Sequence, residues 1–167
     1  MKTLVIHPKD STTEFLNKIY KDKDWTIINH PLSRKDMKHQ IKNHDRIIMM
    51  GHGSPYGLLG HGYHINATIG ELLRTKKCIC IWCNADVFVK THKLKGFYTG
   101  MFISEVSEAK YFNINANQNE IDYSNNLFVD NLKDIIDSPD ILNEIKSSYT
   151  GNSLVIQYNN ERLYQSI

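Results

Sequence analysis

Two side chains that together make a base-activated nucleophile, the imidazole of His52 and the thiol of Cys83, each stand just beyond a short apolar run. The first run is Arg46-Ile47-Ile48-Met49-Met50, followed by Gly51-His52-Gly53-Ser54-Pro55-Tyr56-Gly57. The second is Cys78-Ile79-Cys80-Ile81-Trp82, which ends in Cys83-Asn84-Ala85-Asp86. An ordinary cysteine is only a few per cent thiolate at neutral pH. A histidine within hydrogen-bond reach takes the thiol proton and later returns it to a leaving group. The glycines on either side of His52 let backbone come close to a reacting centre. A main-chain N–H after His52 and that of Cys83 could then hold an oxyanion. The competing description of the same residues is a buried strand-end cysteine and a loop histidine with ordinary partners.

Runs of this length bounded by Gly and Pro are expected to be strands of a parallel sheet, buried on both faces. Residues at the carboxyl ends of neighbouring parallel strands converge on one crevice, where open α/β folds place their ligands. The rest of the chain supplies the alternation such a sheet needs. Thr3 to Ile6 reads as a first strand stopped by Pro8, and Asp10-Ser11-Thr12-Thr13-Glu14 as a helix start with Phe15, Leu16 and Ile19 on its inner face. Trp25 to Asn29 reads as a second strand, and Ser33 as the cap of a helix that buries Met37 and Ile41. A helix near Ile69 to Lys76 separates the strands at 46–50 and 78–82, and Tyr98 to Ser104 reads as a fifth strand. Residues 111–126, rich in Asn, read as a long loop, Leu127 to Ile136 and Pro139 to Ile145 as helices, and Ser153 to Tyr158 as a last strand at the sheet edge. The expected fold is α/β: one domain over residues 1–167, three layers, a mostly parallel six-stranded sheet with helices on both faces.

An apolar strand ending in His-Gly, followed by a second ending in Cys, resembles the caspase-like superfamily of cysteine peptidases. His52-Gly53-Ser54-Pro55-Tyr56-Gly57-Leu58 is similar to the His-Gly motif, and Cys83-Asn84-Ala85 to the nucleophile segment. The order, His before Cys, matches that superfamily and reverses that of papain-like enzymes. The resemblance covers residues 1 to about 110 by strand order, although its motifs occupy fewer than 20 positions. It implies a short bacterial or phage member with Cys83 as nucleophile, His52 as proton shuttle, and the amides of Gly53 and Cys83 as oxyanion donors. Trp82 stands before Cys83 where the family usually has a small residue, and the interval from His52 to Cys83 is 31 positions.

Other groupings carry weaker chemistry. Cys80-Ile81-Trp82-Cys83 spells C-x-x-C, but its first cysteine lies inside the apolar run, so Cys78 and Cys80 are expected to pack on one strand face. His52, His61, His64 and Cys83 are zinc-ligand types, yet two histidines three apart in a Gly-rich loop lack finger spacing, and no metal or other cofactor is assigned. His61, His64, Ser54 and Asp86 are placed at the rim of the crevice, with helix initiation as the simpler role of Asp86. His92, among Lys90, Lys93 and Lys95, reads as exposed.

Composition narrows the classes further. Hydrophobic content of 41%, charged content of 23% and a formal charge of +2 fit a globular chain with no dedicated nucleic-acid surface. No apolar stretch approaches the roughly 20 residues of a membrane span. The three cysteines lie within six positions and make no disulfide framework, so reducing cytoplasm is the expected location. Abundant Asn, Lys and Ile fit an AT-rich bacterial or phage genome. The expected function is a cysteine hydrolase, an endopeptidase acting on a peptide or protein substrate. The alternative is a catalytically silent module of the same fold that binds a partner. Oligomeric state and substrate preference are not encoded in any motif of the chain.

Overall fold

The computed structural model describes residues Met1–Ile167. Strand β1 (Thr3–Ile6) is followed by a 3-10 helix (Ser11–Ile19), β2 (Thr26–Ile28), α1 (Arg34–Lys42) and β3 (Arg46–Met50). A small meander of β4 (Gly53–Ser54), β5 (Gly57–Gly60) and β6 (Gly62–Ile65) leads to α2 (Ala67–Leu73) and β7 (Lys77–Ile81). Then come α3 (Ala85–His92), β8 (Lys95–Thr99), α4 (Val106–Tyr111), α5 (Gln118–Ile135), α6 (Ile141–Ser148), α7 (Leu154–Glu161) and β9 (Leu163–Ser166). The main sheet has the order β2-β1-β3-β7-β8-β9, parallel throughout except for β9, which runs antiparallel to β8.

The central strands read as continuous apolar runs because both faces are covered. Leu4, Ile6, Ile47, Met49, Cys78 and Cys80 point to one side, against Met37 and Ile41 of α1, Ile69 and Leu73 of α2, and Phe88 and Val89 of α3. Val5, Ile48, Met50, Ile79 and Ile81 point to the other, against Leu16 and Ile19 of the 3-10 helix, Phe128 and Leu132 of α5, Ile145 of α6 and Ile156 of α7. This alternation is the period-two geometry of a strand. Because β1 lies between β2 and β3, with the 3-10 helix on one face and α1 on the other, the chain reverses direction across the sheet at the carboxyl ends of β1 and β3. Open α/β sheets bind their ligands at such a point.

Four elements differ from the sequence expectation. Ser153 to Tyr158 is not a strand: α7 covers it, burying Val155, Ile156 and Asn159 at i, i+1 and i+4, and the sheet edge is β9 instead. The three-residue apolar run reads equally as strand or helix. Asn159 decides it, since its side chain donates to the Ile103 carbonyl at 2.9 Å and accepts from the Ile103 amide at 2.7 Å. The fifth strand is Lys95–Thr99 rather than Tyr98–Ser104. Its second residue, Gly96, has φ of +126° and passes so close to the Cys78 carbonyl that a Cβ would stand 1.9 Å from the oxygen. Residues 118–126 belong to α5, whose capping box pairs Asn117 with Glu120. Ser124 and Asn125 lie on its buried face and interrupt the apolar period there. The loop after His52 is the β4–β6 meander. No helix is long and apolar enough to cross a membrane.

His7, at the end of β1, is buried with Nδ1 2.9 Å from the Tyr20 hydroxyl and Nε2 3.0 Å from Thr13 Oγ1. Burial holds its pKa down at about 4, against smaller opposing pulls from Asn17 and Asp10. The unfolded chain therefore binds this proton more readily than the folded one. Its contribution to stability is complete above pH 6.5 and is lost as pH falls from 6.5 towards 4, by up to about 3 kcal/mol. Urea unfolding at pH 7.5, 6 and 5 should show the wild type losing stability faster than His7→Gln across that window; parallel losses in the two proteins would refute the assignment.

Candidate active site

Strand pairing carries His52 to its position. The Gly51 amide donates to the Ile81 carbonyl at 3.0 Å, adding one more rung to the β3–β7 ladder, and Gly51 then turns with φ of +137°. The Leu59 amide donates to the His52 carbonyl at 2.8 Å, folding β5 back over the loop. On the neighbouring strand, Trp82 turns its indole into the α1–α3 side of the core and donates from Nε1 to the Ser54 carbonyl at 3.1 Å. The ring lies so close on Gly53 that a Cβ there would stand 2.0 Å from it. Cys83 follows, and Asn84 takes left-handed backbone (φ of 64°) to start α3, its amide donating to the Gly100 carbonyl at 3.1 Å.

His52 and Cys83 line the same cavity, with Phe15, Leu16, Trp82 and Phe102 around them. Its volume is about 20 Å³, room for roughly one water. The two side chains are not hydrogen-bonded to each other. The Cys83 thiol donates to the Phe102 carbonyl at 3.3 Å and lies 3.6 Å from Glu108 Oε1. Burial, followed by the charge of Glu108, pushes this thiol up to about 12. At neutral pH the thiol is therefore held in its protonated form. Cys78 is pushed to the same range by burial, and Cys80, wholly enclosed, is raised as well. All three cysteines are free, and Cys80 is paired into the sheet opposite Met49.

The His52 ring turns the other way. Its Nε2 lies 2.6 Å from Thr12 Oγ1 and 3.7 Å from Asp10 Oδ1. Asp10 accepts from both the hydroxyl and the amide of Thr12, at 2.6 and 2.8 Å. These bonds, and more weakly the nearby His52, hold its carboxyl below the usual carboxylate range. Neither Asp10 nor Thr12 is recognisable from sequence as more than a helix start, because the contact to His52 depends on β1 and β3 being neighbours. Glu108 is likewise missed, although Glu105-Val106-Ser107-Glu108 is spaced as a capping box, and Glu108 does accept from the Glu105 amide at 3.1 Å.

The remaining candidates divide. Gly53 pairs with Leu58 in the meander, while the Cys83 amide makes no hydrogen bond within the chain. Ser54 is committed to the meander, with Oγ 3.0 Å from the Tyr63 hydroxyl and accepting from the Tyr56 amide at 3.1 Å. His61 and His64 line a second cavity of about 390 Å³, on whose wall His52 also stands with Lys9, Asp10 and His30. Neither reaches the cavity that Cys83 lines, and burial lowers the His64 pKa. No three His, Cys, Asp or Glu side chains converge as a metal-binding group. Asp86 pairs with Lys90 at 3.1 Å along α3, and His92 packs on the Phe88 ring with centroids 4.4 Å apart; neither reaches Cys83 or His52.

Comparison with family models, curated proteins and solved structures returns no match to this chain.

Two outcomes follow from this geometry. Glu108→Gln keeps an acceptor oxygen at the capping position but removes the charge beside the thiol. Iodoacetamide labelling of Cys83 at pH 8.5, mapped by mass spectrometry, should rise about tenfold; an unchanged rate would show that Glu108 does not govern the thiol. Gly53→Ala has no room beneath the Trp82 ring and should cost about 2–3 kcal/mol in urea unfolding, the scale of core overpacking. A loss under 0.5 kcal/mol would mean that the contact yields easily.

Proposed function

We propose that this protein is a cysteine hydrolase, an endopeptidase of caspase-like fold acting in the cytoplasm, whose Cys83–His52 pair is at rest in the arrangement described. One observation carries the reading: the two side chains come from the ends of adjacent parallel strands and line one cavity. Catalysis begins when the thiol leaves Phe102 and Glu108 and passes its proton to His52. The thiolate sulfur then attacks the carbonyl carbon of a peptide bond, and the electron pair of the C=O moves onto oxygen. On this reading the Cys83 amide, which makes no hydrogen bond within the chain, donates to that oxyanion. Collapse of the adduct breaks the C–N bond as His52 returns the proton to the leaving amine. Water, deprotonated by His52, then releases the thioester as an acid and regenerates the thiol.

A second reading is supported by the same thiol. A cysteine kept neutral by burial and a carboxylate suits a silent module that binds a partner without cutting it.

Hydrolysis of a quenched-fluorescence peptide library separates the two. Turnover by the wild type, falling at least 100-fold in both Cys83→Ala and His52→Ala, is the expected result. A Cys83→Ala protein as active as the wild type would overturn the assignment of the nucleophile. Absence of turnover in all three would favour the binding module.

A further inference from the structure

Asp10, Thr12 and His52 form a chain of contacts whose proton positions are determined by valence. A threonine hydroxyl has one proton to give. An ionised carboxylate can only accept, and the Asp10 carboxyl is held ionised by the Thr12 bonds that already terminate on it. The Thr12 hydroxyl therefore spends its proton on Asp10 Oδ1, 2.6 Å away. The contact of 2.6 Å between Thr12 Oγ1 and His52 Nε2 must then run in the other direction, with the ring donating and the hydroxyl accepting. At 3.7 Å, Asp10 is too far to bond the ring directly, so the hydroxyl is the relay.

From this we propose that Asp10, acting through Thr12, is a positioning residue that fixes His52 as its Nε2–H tautomer and leaves Nδ1 as the basic nitrogen. Nδ1 makes no hydrogen bond within the chain. The relay is itself anchored: the Thr13 amide donates to the Asp10 carbonyl at 3.3 Å, and Thr13 Oγ1 is held by buried His7. The catalytic meaning rests on the reading of His52 as the base for Cys83. On that reading the ring takes the thiol proton at Nδ1 while keeping its bond to Thr12, and the imidazolium so formed faces a carboxylate one hydroxyl away. This is the role of an orienting third group next to a base.

Two-bond ¹H–¹⁵N correlation spectra of ¹⁵N-histidine-labelled protein at pH 8 test the tautomer without reference to any substrate. Wild-type His52 should show a protonated Nε2 and an unprotonated Nδ1, as one tautomer. Thr12→Val and Asp10→Ala should shift both nitrogens towards the averaged values of a tautomer mixture, and Thr12→Ser should restore the wild-type pattern. Wild-type His52 protonated at Nδ1, or spectra unchanged in both Thr12→Val and Asp10→Ala, would overturn the proposal. Backbone amide spectra of the variants identify any that fail to fold, and Thr12→Ser, which keeps the hydroxyl, then carries the comparison. A fixed Nε2–H tautomer in a wild type that hydrolyses nothing upholds the relay and sinks the hydrolase reading alone. Where turnover is present, Thr12→Val should lower kcat about 10- to 100-fold with little change in KM, as expected for a group acting through the base.

Discussion

The clamp between Trp82 and the Gly53-Ser54 backbone is the contact on which the site depends. Parallel pairing of β3 with β7 brings the ends of the two strands side by side, but pairing stops there, and the chain beyond each end is free to diverge. Trp82 prevents this by bonding the Ser54 carbonyl and covering Gly53 with its ring. The loop after His52 is thereby tied to the residue just before Cys83. The large side chain that departs from the small residue usual in the resembled family packs into the α1–α3 side of the core and also lines the cavity with His52 and Cys83. A smaller residue would need another means of holding the meander, and only glycine at position 53 lets the ring lie as close as it does.

Placement and orientation are separate problems in this site. The sheet places His52 and Cys83 against one cavity, and the surrounding loops turn each towards a different partner. Neither commitment is strong. A thiol–carbonyl contact is a weak hydrogen bond, and a half-exposed imidazole–hydroxyl contact contributes about 1 kcal/mol net. The burial that places the residues is far larger, since nearly every side chain of β3 and β7 is in the core. A rotation of Cys83 thus requires no change in the sheet. The heavier obligation falls on Glu108, whose other oxygen accepts from the Ser104 and Glu105 amides at 2.7 and 3.1 Å. Moving that carboxylate would leave the Ser104 and Glu105 amides at the start of α4 without this acceptor.

Much of the scaffold was legible in the sequence because a strand buried on both faces leaves a mark that needs no partner to interpret. Thr3 to Ile6, Arg46 to Met50 and Cys78 to Ile81 are continuous apolar runs and stand within a residue of their expected ends. The elements after Thr99 were harder to read for reasons visible in the side chains. In α5 the buried stripe includes Ser124 and Asn125, whose polar groups bond Tyr149 and Ser104 and are invisible to any hydrophobic period. In α7 three adjacent apolar residues fit either secondary structure until Asn159 finds Ile103. The Gly-rich segment after His52 pairs as its own three-stranded meander, with the Trp82 indole against Gly53 and the Ser54 carbonyl.

The same division runs through the site. His52 and Cys83 could be picked out because strand ends are geometric landmarks, whereas the residues that set their chemistry could not. Thr12 reaches His52 across 40 positions of chain through the adjacency of β1 and β3, with Asp10 behind it, and Glu108 reaches Cys83 across 25 through the fold-back of α4. Reactivity is a property of those partners more than of the pair itself. A thiol beside a carboxylate and a thiol beside an imidazole differ by several pKa units with no change in the nucleophile. A strand-end histidine and cysteine therefore define where chemistry is possible. In this arrangement Thr12 holds the imidazole while Phe102 and Glu108 hold the thiol.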